Sequence, residues 1–342
     1  MPVRLGFVGT GGIANRHLAC AQAHPDMEVV AACDVVPDLA KAAAEKYGGQ
    51  PYTEFRKMYD EVKPDALVIC TPPFVHGEIE IEAARRGLPF FVEKPVAISM
   101  AMAGRVLEAV QEHQLVTQVG YMFRLAEPVM KARAMLAERA IAMVQAHYYM
   151  PGMPGKNWWA KMDQGGGQLV EQATHMLDLG RFLAGEVKSV IGQTSQVRDW
   201  TPPADYQPPP GLVAYWDGFE IPDTSALILE YASGAMGTLS CSLVPQVAWD
   251  NGFKVVAENA MVTIDGANVR WQNEDGPFEE KAPADWTAAV LVEFTNAVQG
   301  KGQTSVPYVE GVKSLAVSLA GYESVRRNNA PVELAELLPA TV

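Results

Sequence analysis

Three side chains have the types and spacing for proton and charge chemistry on a hydroxyl group: Lys94, Glu171 and His175. Lys94 stands in Glu93-Lys94-Pro95, directly after the apolar run Pro89-Phe90-Phe91-Val92. Pro95 fixes its own φ and biases Lys94 towards extended backbone, which projects the ammonium past a strand end. There it can hydrogen-bond a substrate hydroxyl and stabilise the alkoxide that precedes hydride loss. Glu171 and His175 are four residues apart, and His175 and Asp178 three apart. On one continuous helix, expected over Gln168 to Leu183, all three share a face. A carboxylate one turn before an imidazole orients the ring and raises its basicity. Gly165-Gly166-Gly167 precede this helix and let another chain or a cofactor pass close to its start. The plainer readings are a solvated lysine loop and a surface Glu–His pair worth roughly a few tenths of a kcal/mol. The choice between them turns on whether the two segments face one crevice.

The amino-terminal stretch supplies such a crevice. Val3 to Val8 is an apolar run that enters Gly9-Thr10-Gly11-Gly12-Ile13-Ala14 and then a helix-like segment from Asn15 to Ala23. In such a turn Gly9 provides the tight bend, Gly11 lets the backbone approach a pyrophosphate, and Ala14 is small enough for close helix–strand packing. The helix N-terminus adds free N–H groups and a positive dipole end. Glu28 to Cys33 reads as the next buried strand and ends at Asp34, twenty residues beyond Ala14. That is the spacing expected of a carboxylate on the adenosine ribose. Asp34 would repel a 2′-phosphate, and Val35, Val36 and Pro37 offer no cation to pair one, so the sequence favours NAD over NADP.

The elements needed to position these groups are legible nearby. A helix from Pro37 to Tyr47, a short one near Phe55 to Glu61, a strand from Asp65 to Thr71, a helix from Val75 to Arg86, a Ser99-capped helix to about His113 and a strand from Leu115 to Gly120 alternate in order. Strands separated by helices imply βαβ units and a doubly wound parallel sheet, whose ligands bind at the strand carboxyl ends. Beyond the Gly- and Pro-rich stretch 151–167 the chain turns to β-like runs: Lys188–Val197, Thr224–Ala232, Ala235–Leu243, Phe253–Ala257, Met261–Ile264 and Val269–Gln272. Without helices between them these predict an antiparallel or mixed sheet. Helices near Trp286–Gln299 and Tyr308–Arg327 close the chain.

Length and composition narrow the function classes. The 342 residues suggest two domains, divided as residues 1–121 for the dinucleotide and 122–342 for substrate and oligomerisation. A net charge of −13 with no basic block argues against a nucleic-acid partner. No apolar run is long enough to span a membrane, and a strand at the N-terminus leaves no room for a leader, so a cytoplasmic protein is expected. Cys20, Cys33, Cys70 and Cys241 form no C-x-x-C pair, and the six histidines show no H-x-x-x-H spacing, so neither a disulfide framework nor a metal is expected.

Taken in order, Gly9 to Ala14, Cys70-Thr71-Pro72-Pro73-x-x-His76, Glu93-Lys94-Pro95 and Gly165-Gly166-Gly167 through Glu171, His175 and Asp178 closely resemble the Gfo/Idh/MocA oxidoreductases, over essentially the whole chain. The resemblance implies a Rossmann domain followed by an α/β domain on an open, mostly antiparallel sheet whose outer face mediates dimers or tetramers. It implies NAD(P)-dependent oxidation of a secondary alcohol on a sugar, cyclitol or related polyol. By resemblance Lys94 contacts the reacting hydroxyl and the nicotinamide side, His175 is the acid/base, and Glu171 stands where inositol-dehydrogenase-like members have Asp. Its extra methylene leaves open whether Glu171 acts on substrate or only orients His175. Thr71, Pro72 and His76 line the cofactor in similar proteins, and Glu93 belongs to the same wall. Tyr121, Arg124 and Asp178 are expected towards substrate, with Trp158, Trp159 and Lys161 walling the nicotinamide pocket or packing under a loop. A glycosidase that oxidises its sugar only transiently, and a non-catalytic NAD sensor, remain open.

Overall fold

The computed structural model describes residues 1–342. Six short strands near the amino terminus pair into one parallel sheet: β1 (Val3–Val8), β2 (Met27–Cys33), β3 (Gln50–Tyr52), β4 (Ala66–Ile69), β5 (Phe90–Val92) and β6 (Thr117–Val119). Their order is β3-β2-β1-β4-β5-β6, all parallel. The crossovers are α1 (Gly12–Ala23), α2 (Pro37–Tyr47), α3 (Phe55–Val62), α4 (Glu78–Arg85) and α5 (Met100–Glu112). Three of the helix starts have a local cause. Pro37 opens α2, Glu54 accepts the N–H groups of Arg56 and Lys57 at the start of α3, and the Ser99 hydroxyl accepts that of Met102 at the start of α5. The expected helix start at Val75 moves to Glu78, because Pro73–Val75 forms a 3₁₀ turn and Gly77 takes φ 129°. β3 carried no sequence signal, being three residues long with a central Pro51. The strand order reverses between β1 and β4, which opens a crevice at their carboxyl ends.

The second sheet has nine strands. Across it run Gly276–Glu280, Asn268–Asn273, Ala260–Asp265, Asp250–Ala257, Ile141–Tyr149, Met236–Ser242, Thr224–Tyr231, Val187–Ser195 and Val332–Glu333. All neighbours are antiparallel except Ile141–Tyr149 with Met236–Ser242. Thr224–Tyr231 shows the governing pattern: Ser225, Leu227, Leu229 and Tyr231 are buried, whereas Ala226, Ile228 and Glu230 are exposed. One face therefore carries the helices and the core, and the other is open. The two edge strands, Gly276–Glu280 and Val332–Glu333, were not legible in sequence.

The closing helices tie the two sheets together. Val290, Leu291 and Phe294 of Ala289–Val298 are buried with Phe7, Ala14 and Phe91 of the first sheet's layer. Burial of Phe294 alone is worth about 2–3 kcal/mol. Tyr308–Arg326 packs Tyr308, Val312 and Leu315 with Val92 and Val119, and its later residues Ala316, Val317 and Ala320 with the second core. It crosses the strand Val187–Ser195 so closely that a Cβ on Gly192 would collide with the Gly321 carbonyl. Helices from the second half of the chain thus complete the core of the first sheet. No helix is long and apolar enough to cross a membrane, and all four cysteines are free.

Candidate active site

The carboxyl ends of β1, β2, β4 and β5 border a cleft of about 450 Å³, whose far wall comes from the second half of the chain. Gly9, Gly11, Gly12 and Ile13 line one end. Gly9 has φ 85°, and a Cβ there would lie 2.6 Å from the Cys70 carbonyl oxygen, so only glycine fits the turn. Open space surrounds the Cβ positions of Gly11 and Gly12, and the N-terminus of α1 has no capping side chain. A helix start with unclaimed N–H groups and room before it is a ready anion site. Asp34 is fixed at the end of β2: its Oδ2 accepts the Thr10 N–H at 2.9 Å and the Thr10 hydroxyl at 3.0 Å, and its Oδ1 accepts the Val36 N–H at 3.0 Å. These features fit a dinucleotide, with its pyrophosphate over α1 and a ribose towards Asp34.

At the other end stand Thr71, Pro72, Lys94, Glu171 and His175. Lys94 Nζ donates to the Glu171 main-chain carbonyl at 2.8 Å and more weakly to its Oε1 at 3.4 Å. Burial pushes the Glu171 carboxyl above its ordinary range, against the pull of Lys94. Burial, reinforced by the Lys94 ammonium, holds the His175 imidazole well below its usual value, so it is neutral at neutral pH. Neither ring nitrogen has a partner; Nδ1 is sealed from solvent, which leaves Nε2 as the ring atom with access. The rings of Tyr121 and Phe123 meet the imidazole edge-on, with centroids at 6.1 and 5.8 Å. Thr71 Oγ1 and Glu171 Oε2 are likewise buried without protein partners.

Comparison with known proteins decides the lineage. Residues 3–121 match the family described as "Oxidoreductase family, NAD-binding Rossmann fold", and residues 129–263 match the "GFO/IDH/MocA C-terminal domain". The chain belongs to the Gfo/Idh/MocA family of oxidoreductases. Among its relatives, the inositol 2-dehydrogenase of Rhizobium meliloti is 25% identical over 337 residues, covering 95% of this chain and 97% of that one. The levoglucosan dehydrogenase of Pseudarthrobacter phenanthrenivorans is 26% identical over 267 residues, covering 70% and 67%. The WlbA dehydrogenase of Bordetella pertussis, solved with NADH and UDP-GlcNAcA, superposes with a TM-score of 0.81 at 26% identity, over 97% of this chain and 99% of that one.

Several residues expected at the site of this Gfo/Idh/MocA member lie elsewhere. The continuous helix from Gln168 is broken into Gly167–Glu171 and Thr174–Ala184. The Ala173 N–H reaches back five residues to Gln168, and the His175 N–H only three to Gln172. The four-residue register between Glu171 and His175 is lost at this break, and Glu171 holds Lys94 rather than the imidazole. Asp178 and Arg124 leave the cleft altogether. They form a buried two-pronged pair, Nε–Oδ2 2.9 Å and Nη2–Oδ1 2.7 Å, joined by Ser314, Glu310 and Arg181. Burial alone would raise the Glu310 carboxyl, but Arg181, Arg124 and Lys313 overcome it and hold it down at about 2. This network ties the helix of His175 to the exit of β6 and to the closing helix. Arg124→Met should cost about 3–5 kcal/mol, because it strands a buried carboxylate; urea unfolding checks the value, and a loss under 1 kcal/mol would count against the clamp.

His76 is buried against Glu80 at 2.6 Å, and Ala14 is on the core-facing side of α1. Thr10 is buried as the holder of Asp34. Tyr121 donates to or accepts from Thr174 at 2.7 Å and backs His175 rather than lining the cleft. Trp159 is in the second core; Trp158 takes its place in the wall, and Lys156 stands there instead of Lys161. Sequence reasoning missed Arg16, Met122 and Lys156. Arg16 had a signal, since it follows Ile13 by three residues on α1 and so shares its face. Lys156 had none, because a loop alone carries it.

Proposed function

We propose that this chain is a dehydrogenase that oxidises a secondary hydroxyl of a sugar, cyclitol or related polyol with NAD. The observation that carries the reading is the meeting of Lys94 and a neutral His175 in one cleft with the glycine turn. Bound NAD supplies the hydride acceptor. Lys94, steadied by the Glu171 carbonyl and carboxylate, donates a hydrogen bond to the substrate oxygen and stabilises the negative charge that develops on it. His175 accepts the hydroxyl proton at Nε2, the accessible ring nitrogen. Tyr121 and Phe123 hold the ring in place from behind. Glu171 acts by fixing the ammonium through its main-chain carbonyl and Oε1. The sugar and cyclitol dehydrogenases among the relatives support this substrate class.

Asp34 supports NAD as the preferred cofactor: its carboxylate is pinned at the end of β2, and Val35, Val36 and Pro37, directly after it, carry no cation. We also place homo-oligomerisation, as dimer or tetramer, on the open sheet face, where Ile228 and Met236 are about half exposed; sedimentation velocity tests it, and a monomer throughout would reject it. For the function itself the experiment is a screen of inositols, monosaccharides, anhydrosugars and glycosides for NADH formation at 340 nm, run with NAD and with NADP. The expected result is NADH from at least one polyol, with NAD preferred at least about tenfold, or about 1.4 kcal/mol. Release of aglycone from a glycoside without NADH, or tight NAD binding with no turnover, would overturn the dehydrogenase reading.

A further inference from the structure

We infer that His17 is a positioning residue for Lys94, acting through Glu93. The inference rests on the role proposed for Lys94, and its tests separate the two.

His17 lies one and a half turns into α1, the helix whose N-terminus addresses the cofactor site. Its side chain points away from that site, into the sheet. The ring packs on Phe91 with centroids 4.9 Å apart, and Nε2 meets Glu93 Oε1 at 2.7 Å. Both side chains are nearly sealed, at 6% and 11% exposure. The second Glu93 oxygen accepts the main-chain N–H of Lys94 at 3.2 Å. A carboxylate this deep requires donors, and His17 is the only side chain that supplies one. Gly120, at the end of β6, leaves the space in which the carboxylate sits; a Cβ there would be 2.8 Å from Oε2.

One imidazole therefore links the helix that receives the pyrophosphate to the residue preceding the reacting lysine. Freed from His17, the Glu93 carboxylate must find another donor, and the neighbouring ammonium is the competing cation. Lys94 would then exchange its contact with the Glu171 carbonyl for a pairing with Glu93, and its Nζ would move off the substrate oxygen. His17 makes no contact in the cleft itself, so it works through Glu93 alone.

His17→Leu keeps the volume and removes the donor, whereas His17→Gln places an amide N–H near the position of Nε2. The leucine variant should lose about 10- to 100-fold in kcat, the scale of a misplacement near 1 Å, with NADH affinity by fluorescence held within about threefold. The glutamine variant should recover to within about fivefold of the wild type. Unchanged kcat in His17→Leu, a glutamine variant as poor as the leucine one, or cofactor affinity falling in step with kcat would each overturn the inference. Reductive methylation of Lys94 in the absence of substrate, followed by peptide mass spectrometry, reads the same displacement without turnover. Its rate should change by about threefold or more in His17→Leu, and an unchanged rate overturns the inference even if no polyol is oxidised. A wild type that oxidises nothing, with a changed labelling rate, removes the dehydrogenase reading and leaves the positioning intact. Should His17→Leu fail to fold, Gly120→Ala displaces the Glu93 carboxylate from the other side and carries the same expectations.

Discussion

Replacement of Lys94 by methionine is expected to lower kcat by about 10²- to 10³-fold, the usual loss when a preorganised donor to a developing oxyanion is removed. Cofactor affinity should stay within about threefold, because the proposed reading puts most of the dinucleotide's contacts on the glycine turn, the α1 N-terminus and Asp34. Steady-state kinetics on the best polyol, together with NADH titration, separates the two quantities. The substitution also strips Glu171 of its ammonium partner. Burial already raises that carboxyl, and without the cation that opposes it the value climbs further. The His175 imidazole moves the same way, since Lys94 contributes to its depression. The acid limb of any residual activity should therefore shift to higher pH than in the wild type. Equal losses in kcat and in NADH affinity would assign Lys94 to cofactor binding alone.

His175→Asn is expected to cost about 10²- to 10⁴-fold in kcat for oxidation, the range for a positioned general base. The depressed imidazole sets the pH dependence. Free histidine titrates near 6.5; His175 titrates lower because of burial first and the Lys94 ammonium second. The base form thus persists through the neutral range, and the acid limb of kcat/KM attributable to this ring should lie below about pH 6.5 and be missing in the variant. Stability carries the matching sign. Below about 6.5 the unfolded chain takes up a proton at residue 175 that the folded chain refuses. The contribution of His175 to folding is therefore complete above that pH and is lost progressively as pH falls towards the folded value. Urea unfolding of wild type and variant at pH 7.5 and 5.5 should show the wild type losing more. Glu171 titrates with the opposite sense, and the difference between the two proteins largely removes its share. An acid limb unchanged in His175→Asn would assign the base elsewhere.

The local instructions were written in the chain. The glycine turn, the acid at the end of β2 and the punctuated apolar runs specify βαβ units, because phosphate approach, ribose pairing and strand burial each demand particular residue types at short spacing. Those signals placed Gly9, Gly11, Asp34, Thr71 and Lys94 on one crevice; His175, singled out by its spacing from Glu171 and by the family resemblance, lines the same cleft. What the spacing could not convey was the break after Glu171. It arises where the hydrogen-bond ladder passes from a five-residue closure at Ala173 to a three-residue closure at His175, which no propensity marks, and it hands Glu171 to Lys94 instead of His175. Nor could it convey that Arg124 and Asp178, both plausible beside a polyol, satisfy one another in a buried network with Glu310, a residue 132 positions beyond Asp178. The His17–Glu93 contact was equally silent, since its partners are 76 residues apart and lie on different elements. The sequence by itself determined most of the elements, the nucleotide turn and the lysine and histidine on which the proposed chemistry rests, all of which depend on neighbours within a turn or a strand. Only the tertiary structure decided which charges face the cleft and which are consumed in holding it together, because a buried charge takes whichever partner long-range packing brings within reach.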